Sequence, residues 1–259
     1  MKSKRKIYRI SIGKLAFSVR IRRLICSVSI VFIAVLFGII GVVHIFSSKA
    51  DNNDIVISDN EPILAQAEQS FVVCIDPGHG AYDEGGKYNG VKEKDVDLEV
   101  GLRVGQVLEE NNIKVVYTRK DDNTPLGNNQ KEDLKKRVQI SKDSKANIFV
   151  SIHCNQYDDD DSVNGIELWC NLPNTKDETL AKTIEDELGK LKYTKVRGIR
   201  YKKDTSLYVL SKNEAISTLV ELGYLSNSSD CQFISSKEGQ DKCAEAIAKA
   251  ILDFKGNMQ

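Results

Sequence analysis

Three short stretches of this 259-residue chain each bring a metal-binding or proton-transferring side chain to the end of an apolar, β-rich run. They are FVVCIDPGHG at 71–80, FVSIHCN at 149–155 and STLVELGYLSN at 217–227, carrying His79, His153 and Glu221. Open α/β sheets place their chemistry outside the carboxyl ends of the strands, so three separated runs of this kind predict a site assembled from one sheet. A fourth candidate, Glu93, falls in the predicted loop before the first helix of this region. Two imidazoles and a carboxylate form the ligand set expected of a catalytic zinc, and another carboxylate is left for acid–base work.

In Asp76-Pro77-Gly78-His79-Gly80, the proline and glycines force a turn just after the strand and leave His79 facing a crevice. The chain has 3 histidines, and two of them end strands beside polar turns, which raises His79 and His153 above ordinary core histidines. Asp76 is better placed to orient an imidazole than to bind a metal. Glu93 lies in the charge cluster Lys92-Glu93-Lys94-Asp95, which also suits a solvated helix start capped by Asp95. Glu221 is a carboxylate inside an apolar run, and charges are rarely buried without a partner or a role. Such a group can take a proton from an attacking water and deliver it to a departing amine. Asn155 and Asn227 follow the second and third runs as polar contacts to a substrate or as turn residues.

The elements that must position these groups alternate. Residues 71–76, 114–118, 148–153, 165–170 and 217–223 read as strands from their apolar and β-branched content. Residues 95–110, 131–144, 178–191 and 240–254 carry apolar residues at helical spacing. The predicted fold class is α/β, with a mainly parallel sheet covered by helices on both faces.

The 37 basic and 37 acidic side chains cancel, which argues against a general nucleic-acid binder. The charges are segregated, however. Residues 1–23 form a basic arm with Lys2, Lys4, Arg5, Lys6, Arg9, Lys14, Arg20, Arg22 and Arg23 and no acid. Residues 24–46 then carry no Asp, Glu, Lys or Arg. At about 1.5 Å per residue such a helix can cross a hydrocarbon core of roughly 30 Å. The positive-inside rule keeps the arm in the cytoplasm and exports the chain beyond residue 46, giving a single-pass protein of the cell membrane with its domain outside. A cleaved signal peptide ending near Ser48-Lys49-Ala50 is the rival, but the apolar stretch exceeds the usual 7–15 residues. Residues 47–70 read as a polar linker, and 71–255 as one catalytic domain. Asp158–Asp161 reads as a solvated loop. Cys26 falls in the apolar span, Cys74 and Cys154 read as small buried hydrophobes, and Cys170, Cys231 and Cys243 stay open to a bridge.

DPGHG, a glutamate about fourteen residues later, SIH-x-N and VE-x-G-x-LSN occur here in order. With Thr118-Arg119, Leu134, Arg137, Gly165-Ile166-Glu167 and Leu207-Tyr208-Val209-Leu210, they resemble the zinc-dependent N-acetylmuramoyl-L-alanine amidases of bacterial cell-wall remodelling over 71–253. The resemblance implies Zn2+ held by His79, Glu93 and His153, with Glu221 as the catalytic glutamate. It also implies a twisted six-stranded sheet, and peptidoglycan as substrate, cut between N-acetylmuramic acid and L-alanine. The single anchor and lack of an added wall-binding module are similar to sporulation-associated members, and a protein activator is not readable from the chain. Ala81 stands where many relatives have a second glycine, and Cys154 where many have alanine. A zinc carboxypeptidase would instead need a basic residue for a terminal carboxylate, with Arg119, Arg137 and Arg200 as candidates. A non-catalytic peptidoglycan-binding protein would have lost Glu221 or a ligand, and all four residues are present.

Overall fold

The computed structural model describes residues 70–123, 125–201 and 207–258. The basic arm, the apolar span 24–46, Cys26 and all but the last residue of the linker lie outside the described residues. Among the described residues, no helix is long and apolar enough to cross a membrane.

The described residues form eight strands and six helices in the order β1 (Val72–Pro77), β2 (Lys87–Tyr88), β3 (Val91–Lys92), α1 (Glu93–Glu110), β4 (Lys114–Tyr117), α2 (Gln130–Asp143), β5 (Ile148–Asn155), β6 (Ile166–Cys170), α3 (Lys176–Gly189), β7 (Val196–Tyr201), α4 (Tyr208–Ser211), β8 (Ile216–Tyr224), α5 (Ser228–Ile234) and α6 (Lys237–Gly256). Six strands form one sheet in the order β4-β1-β5-β8-β6-β7, and β2 and β3 make a separate antiparallel ribbon. The pairs β4-β1, β1-β5 and β5-β8 are parallel; β6 runs antiparallel to β8, and β7 parallel to β6. The sheet is therefore mainly parallel, as expected, with one reversal.

Period-two alternation divides the strand residues between two helical layers. Val73, Ile75, Ile148, Val150, Ile152, Val220 and Leu222 face α1, α3 and α6 in the larger core. Cys74, Phe149 and Leu219 face the other way, where Val209 and Leu210 of α4 and Leu134 and Ile140 of α2 cover them. Asp76, Ser151, His153 and Glu221 share the parity of this second set, so the polar site continues the thinner layer toward the strand ends.

Five elements escaped the sequence reading: the two strands of the β2-β3 ribbon, the edge strand β7 and the short helices α4 and α5. The strand β7 contains Arg197, Gly198 and Arg200 and shows no strong apolar alternation, which fits its place at the sheet edge, where charge discourages further pairing. Helix α1 begins at Glu93, two residues before the expected start. Lys92 is its N-cap and makes no side-chain cap bond, so the alternative of a solvated helix start capped by Asp95 does not occur. The five described cysteines are all free and buried, which removes the bridge among Cys170, Cys231 and Cys243. Their burial fits small apolar packing.

Candidate active site

The loop after β1 is held in an unusual shape. His79 and Ala81 both adopt positive φ, 53° each, a left-handed conformation that costs side chains other than glycine. Three cations fix it by capping its carbonyls. Arg119 donates to the carbonyls of Pro77 and Gly78 at 3.1 and 2.6 Å and to that of Lys94 at 2.7 Å. Arg137 donates to the Pro77 carbonyl at 2.7 Å and to the His79 carbonyl. Lys94 donates to the Ala81 carbonyl at 2.9 Å and to Asp122.

Asp76 anchors this clamp and does not orient an imidazole as expected. Its oxygens accept from Thr118 Oγ1 at 2.6 Å, Ser151 Oγ at 2.7 Å and Arg137 at 2.7 Å. Burial alone would raise its pKa, but the Arg137 guanidinium and the two hydroxyls hold it below the ordinary carboxylate value. The residue beside an imidazole is Asp83, whose Oδ2 lies 2.9 Å from His79 Nδ1, at ion-pair distance though not aligned as a hydrogen bond.

His79 and His153 meet over Glu93. Nε2 of His79 and Nδ1 of His153 each lie 3.0 Å from Glu93 Oε1, and the rings stand edge to face with centroids 4.9 Å apart. Glu93 is the first residue of α1. Its Oε2 accepts from the Gly86 N–H at 2.7 Å, and its Oε1 also accepts from the Cys154 N–H at 3.2 Å. Burial opposes its charge, yet His153 and His79 outweigh it and drive its pKa down. Burial likewise opposes charge on His79, but Glu93 and Asp83 outweigh it and raise its pKa to about 9. The close approach requires glycine at 78, where an added Cβ would lie 2.3 to 2.6 Å from three atoms of the His153 ring.

Glu221 stands in register with His153 across β5-β8 and with Glu167 across β8-β6. Its Oε2 is buried and unpartnered. Burial first, then the charges of Glu93 and Glu167, push its pKa up to about 8. Glu167 is held by Arg197 Nε at 2.5 Å and by the Tyr224 hydroxyl at 2.8 Å. Asn155 accepts from the Gln156 N–H, and Asn227 caps α5 by accepting from Ser229 and Asp230 while donating to the Asp161 carbonyl. The turn role is thus the one their bonds fill.

Asp97 was missed. It follows Glu93 by one helical turn, and its ligand atom lies with those of His79, Glu93 and His153 within a mutual 4.8 Å. The signal was the spacing Glu93-x-x-x-Asp97, legible only once α1 starts at Glu93, because residues four apart share a helix face.

Imidazoles and carboxylates converging at the carboxyl ends of parallel strands define an α/β protein of hydrolytic type, with a donor cluster suited to a metal ion. The N-acetylmuramoyl-L-alanine amidase family matches residues 73–253, and the chain belongs to it. The germination-specific N-acetylmuramoyl-L-alanine amidase of Bacillus subtilis (strain 168) is 30% identical over 230 residues, covering 86% of this chain and 94% of the relative. Among solved structures, AmiC2 of Nostoc punctiforme shares 36% identity with a TM-score of 0.64, over 72% of this chain and 97% of that one. The CwlD amidase from Clostridioides difficile, in complex with the GerS lipoprotein, shares 29% identity with a TM-score of 0.67, over 73% of this chain and 100% of that one. The chain is accordingly an enzyme that hydrolyses the amide between N-acetylmuramic acid and L-alanine in peptidoglycan remodelling.

Proposed function

We propose that this hydrolysis uses a zinc ion held by His79, Glu93 and His153, with Glu221 moving the proton. The observation that carries the reading is the meeting of two imidazole nitrogens on one carboxylate oxygen at 3.0 Å each. Two imidazoles and a carboxylate brought this close, with the histidine loop strained to deliver one of them, match the nitrogen and oxygen donors that zinc prefers. Bound there, zinc would polarise the scissile carbonyl and lower the pKa of a water at the site.

The side chains supply the rest. The Gly86 N–H occupies Oε2 of Glu93 and so directs Oε1 toward the histidines. Asp83 sits against the outer nitrogen of His79 and favours one ring orientation. Glu221 is next to His153 in the ladder, and a buried carboxyl whose pKa burial raises above the ordinary value is a stronger base than a solvated one, suited to accept a proton from the attacking water and return it to the L-alanine amine. Arg119 and Arg137 are buried and engaged with loop carbonyls, so neither is offered to a terminal carboxylate, which favours amidase over carboxypeptidase chemistry.

Similarity to a germination-specific amidase supports a role in spore-cortex remodelling, and the neighbour solved with a lipoprotein supports an accessory protein as partner. Residues 24–46 serve in this reading as one membrane anchor, with the domain outside the cytoplasmic membrane. Digestion of purified peptidoglycan by the protein, with and without a chelator, followed by mass spectrometry tests the reaction. The expected products are stem peptides with a free L-alanine amine, lost on chelation. Chelator-resistant release would overturn the metal assignment.

A further inference from the structure

Asp97 is 0% exposed, and neither of its carboxyl oxygens accepts a hydrogen bond. Leaving a buried carboxyl without partners is costly, and buried charges are ordinarily paired or coordinate metals. Among the described residues, no lysine or arginine reaches it at ion-pair distance; its one such contact is His153 Nδ1, 4.0 Å from Oδ2. The thiol of Cys154 neighbours it but is a weak donor. Its ligand atom faces the same small volume as those of His79, Glu93 and His153. The helix explains the aim, since Asp97 and Glu93 project from one face of α1 a turn apart.

We propose that Asp97 is a fourth protein donor to the metal, so that the site is a cluster of His79, Glu93, Asp97 and His153. This rests on the metal reading above and adds to it. A cation would give the orphaned carboxylate its missing partner. Zinc in catalytic sites ordinarily takes three protein donors and a water and can expand to five-coordinate, so a fourth protein group is compatible with a water at the site. A second carboxylate also makes the donor set harder, which raises tolerance for Mn2+ relative to a three-donor site.

The test compares the full chain with Asp97→Asn, Asp97→Ala and His79→Ala. Three readouts are needed: zinc affinity by chelator competition, the visible spectrum of the Co2+-substituted protein, and the metal-free unfolding temperature. Both Asp97 variants should bind zinc at least about tenfold more weakly. Their Co2+ spectra should change, while metal-free stability holds or rises because an orphaned carboxyl has gone. Unchanged affinity and spectrum in both, with metal lost in His79→Ala, would overturn the role of Asp97 alone. Full zinc retention by His79→Ala would overturn the underlying site as well. Weaker binding accompanied by a lower metal-free unfolding temperature in both Asp97 variants would make Asp97 a structural residue and reject the proposal.

Discussion

Glu221 lies directly beside His153 in the parallel β5-β8 ladder, so one hydrogen-bonded pair of strands fixes the spacing between the proposed proton carrier and a proposed metal ligand. Ladder register is set by the whole strand and not by the two side chains. Changing either side chain should therefore leave the other in place.

Glu221→Gln keeps shape and an acceptor oxygen but cannot take up a proton. Metal content and the unfolding temperature should stay near those of the unaltered protein, while release of muramoyl-linked peptides falls by roughly 10²–10⁴-fold. Near-normal release by a folded, metal-loaded variant would remove Glu221 from the mechanism.

His79→Ala and His153→Ala should each lose most of one zinc per chain, measured by elemental analysis of the purified protein. Gly78→Ala should act in the same direction without touching a donor, because its Cβ must displace the His153 ring. Full metal occupancy in Gly78→Ala would show that the ring has room to move.

Asp76→Asn should destabilise the domain near neutral pH by up to about 3 kcal/mol, because it removes the fully buried one of the two carboxylates that pair with the Arg137 guanidinium and leaves only Asp133. The folded pKa of Asp76 is depressed, so its contribution is complete above the unfolded value of about 3.9 and is lost as pH falls through the lower folded value. Urea unfolding should show the gap between the two proteins closing in acid below about pH 4. A constant gap would mean the cost is packing and not charge.

Ala81→Gly reverses the usual ranking of these residues. At φ 53° the alanine bears left-handed strain of about 1–2 kcal/mol, against which glycine's greater unfolded entropy costs about 0.5–1 kcal/mol. Thermal unfolding should show a change between neutral and about 1.5 kcal/mol stabilising. Clear destabilisation would mean that the alanine methyl packs usefully.

In protoplasts, external protease should remove the domain while an N-terminal tag on the basic arm survives. Protection of the domain would overturn the proposed orientation of residues 24–46.

The sequence by itself determined the strands that carry the site, because β-branched runs ended by Pro-Gly or Asn turns are local signals. It also pointed to His79, His153 and Glu221, since a polar group at the end of an apolar run stands out one strand at a time. Asp83, Asp97 and the clamp of Lys94, Arg119 and Arg137 were not legible as site-builders. Lys94, Arg119 and Arg137 owe their roles to partners distant in sequence, Asp97 to a helix start displaced by two residues, and Asp83 to the positive-φ loop that turns it back toward His79, so in isolation each looks like ordinary surface charge. Asp76 shows the same limit from the other side, since its place at the strand end was plain but its partners, Thr118, Arg137 and Ser151, come from three later segments. Periodicity and turn chemistry act over a few residues, whereas the contacts that choose a buried carboxylate's partner exist only after β1, β5 and β8 are laid side by side with α1 and α2 against them.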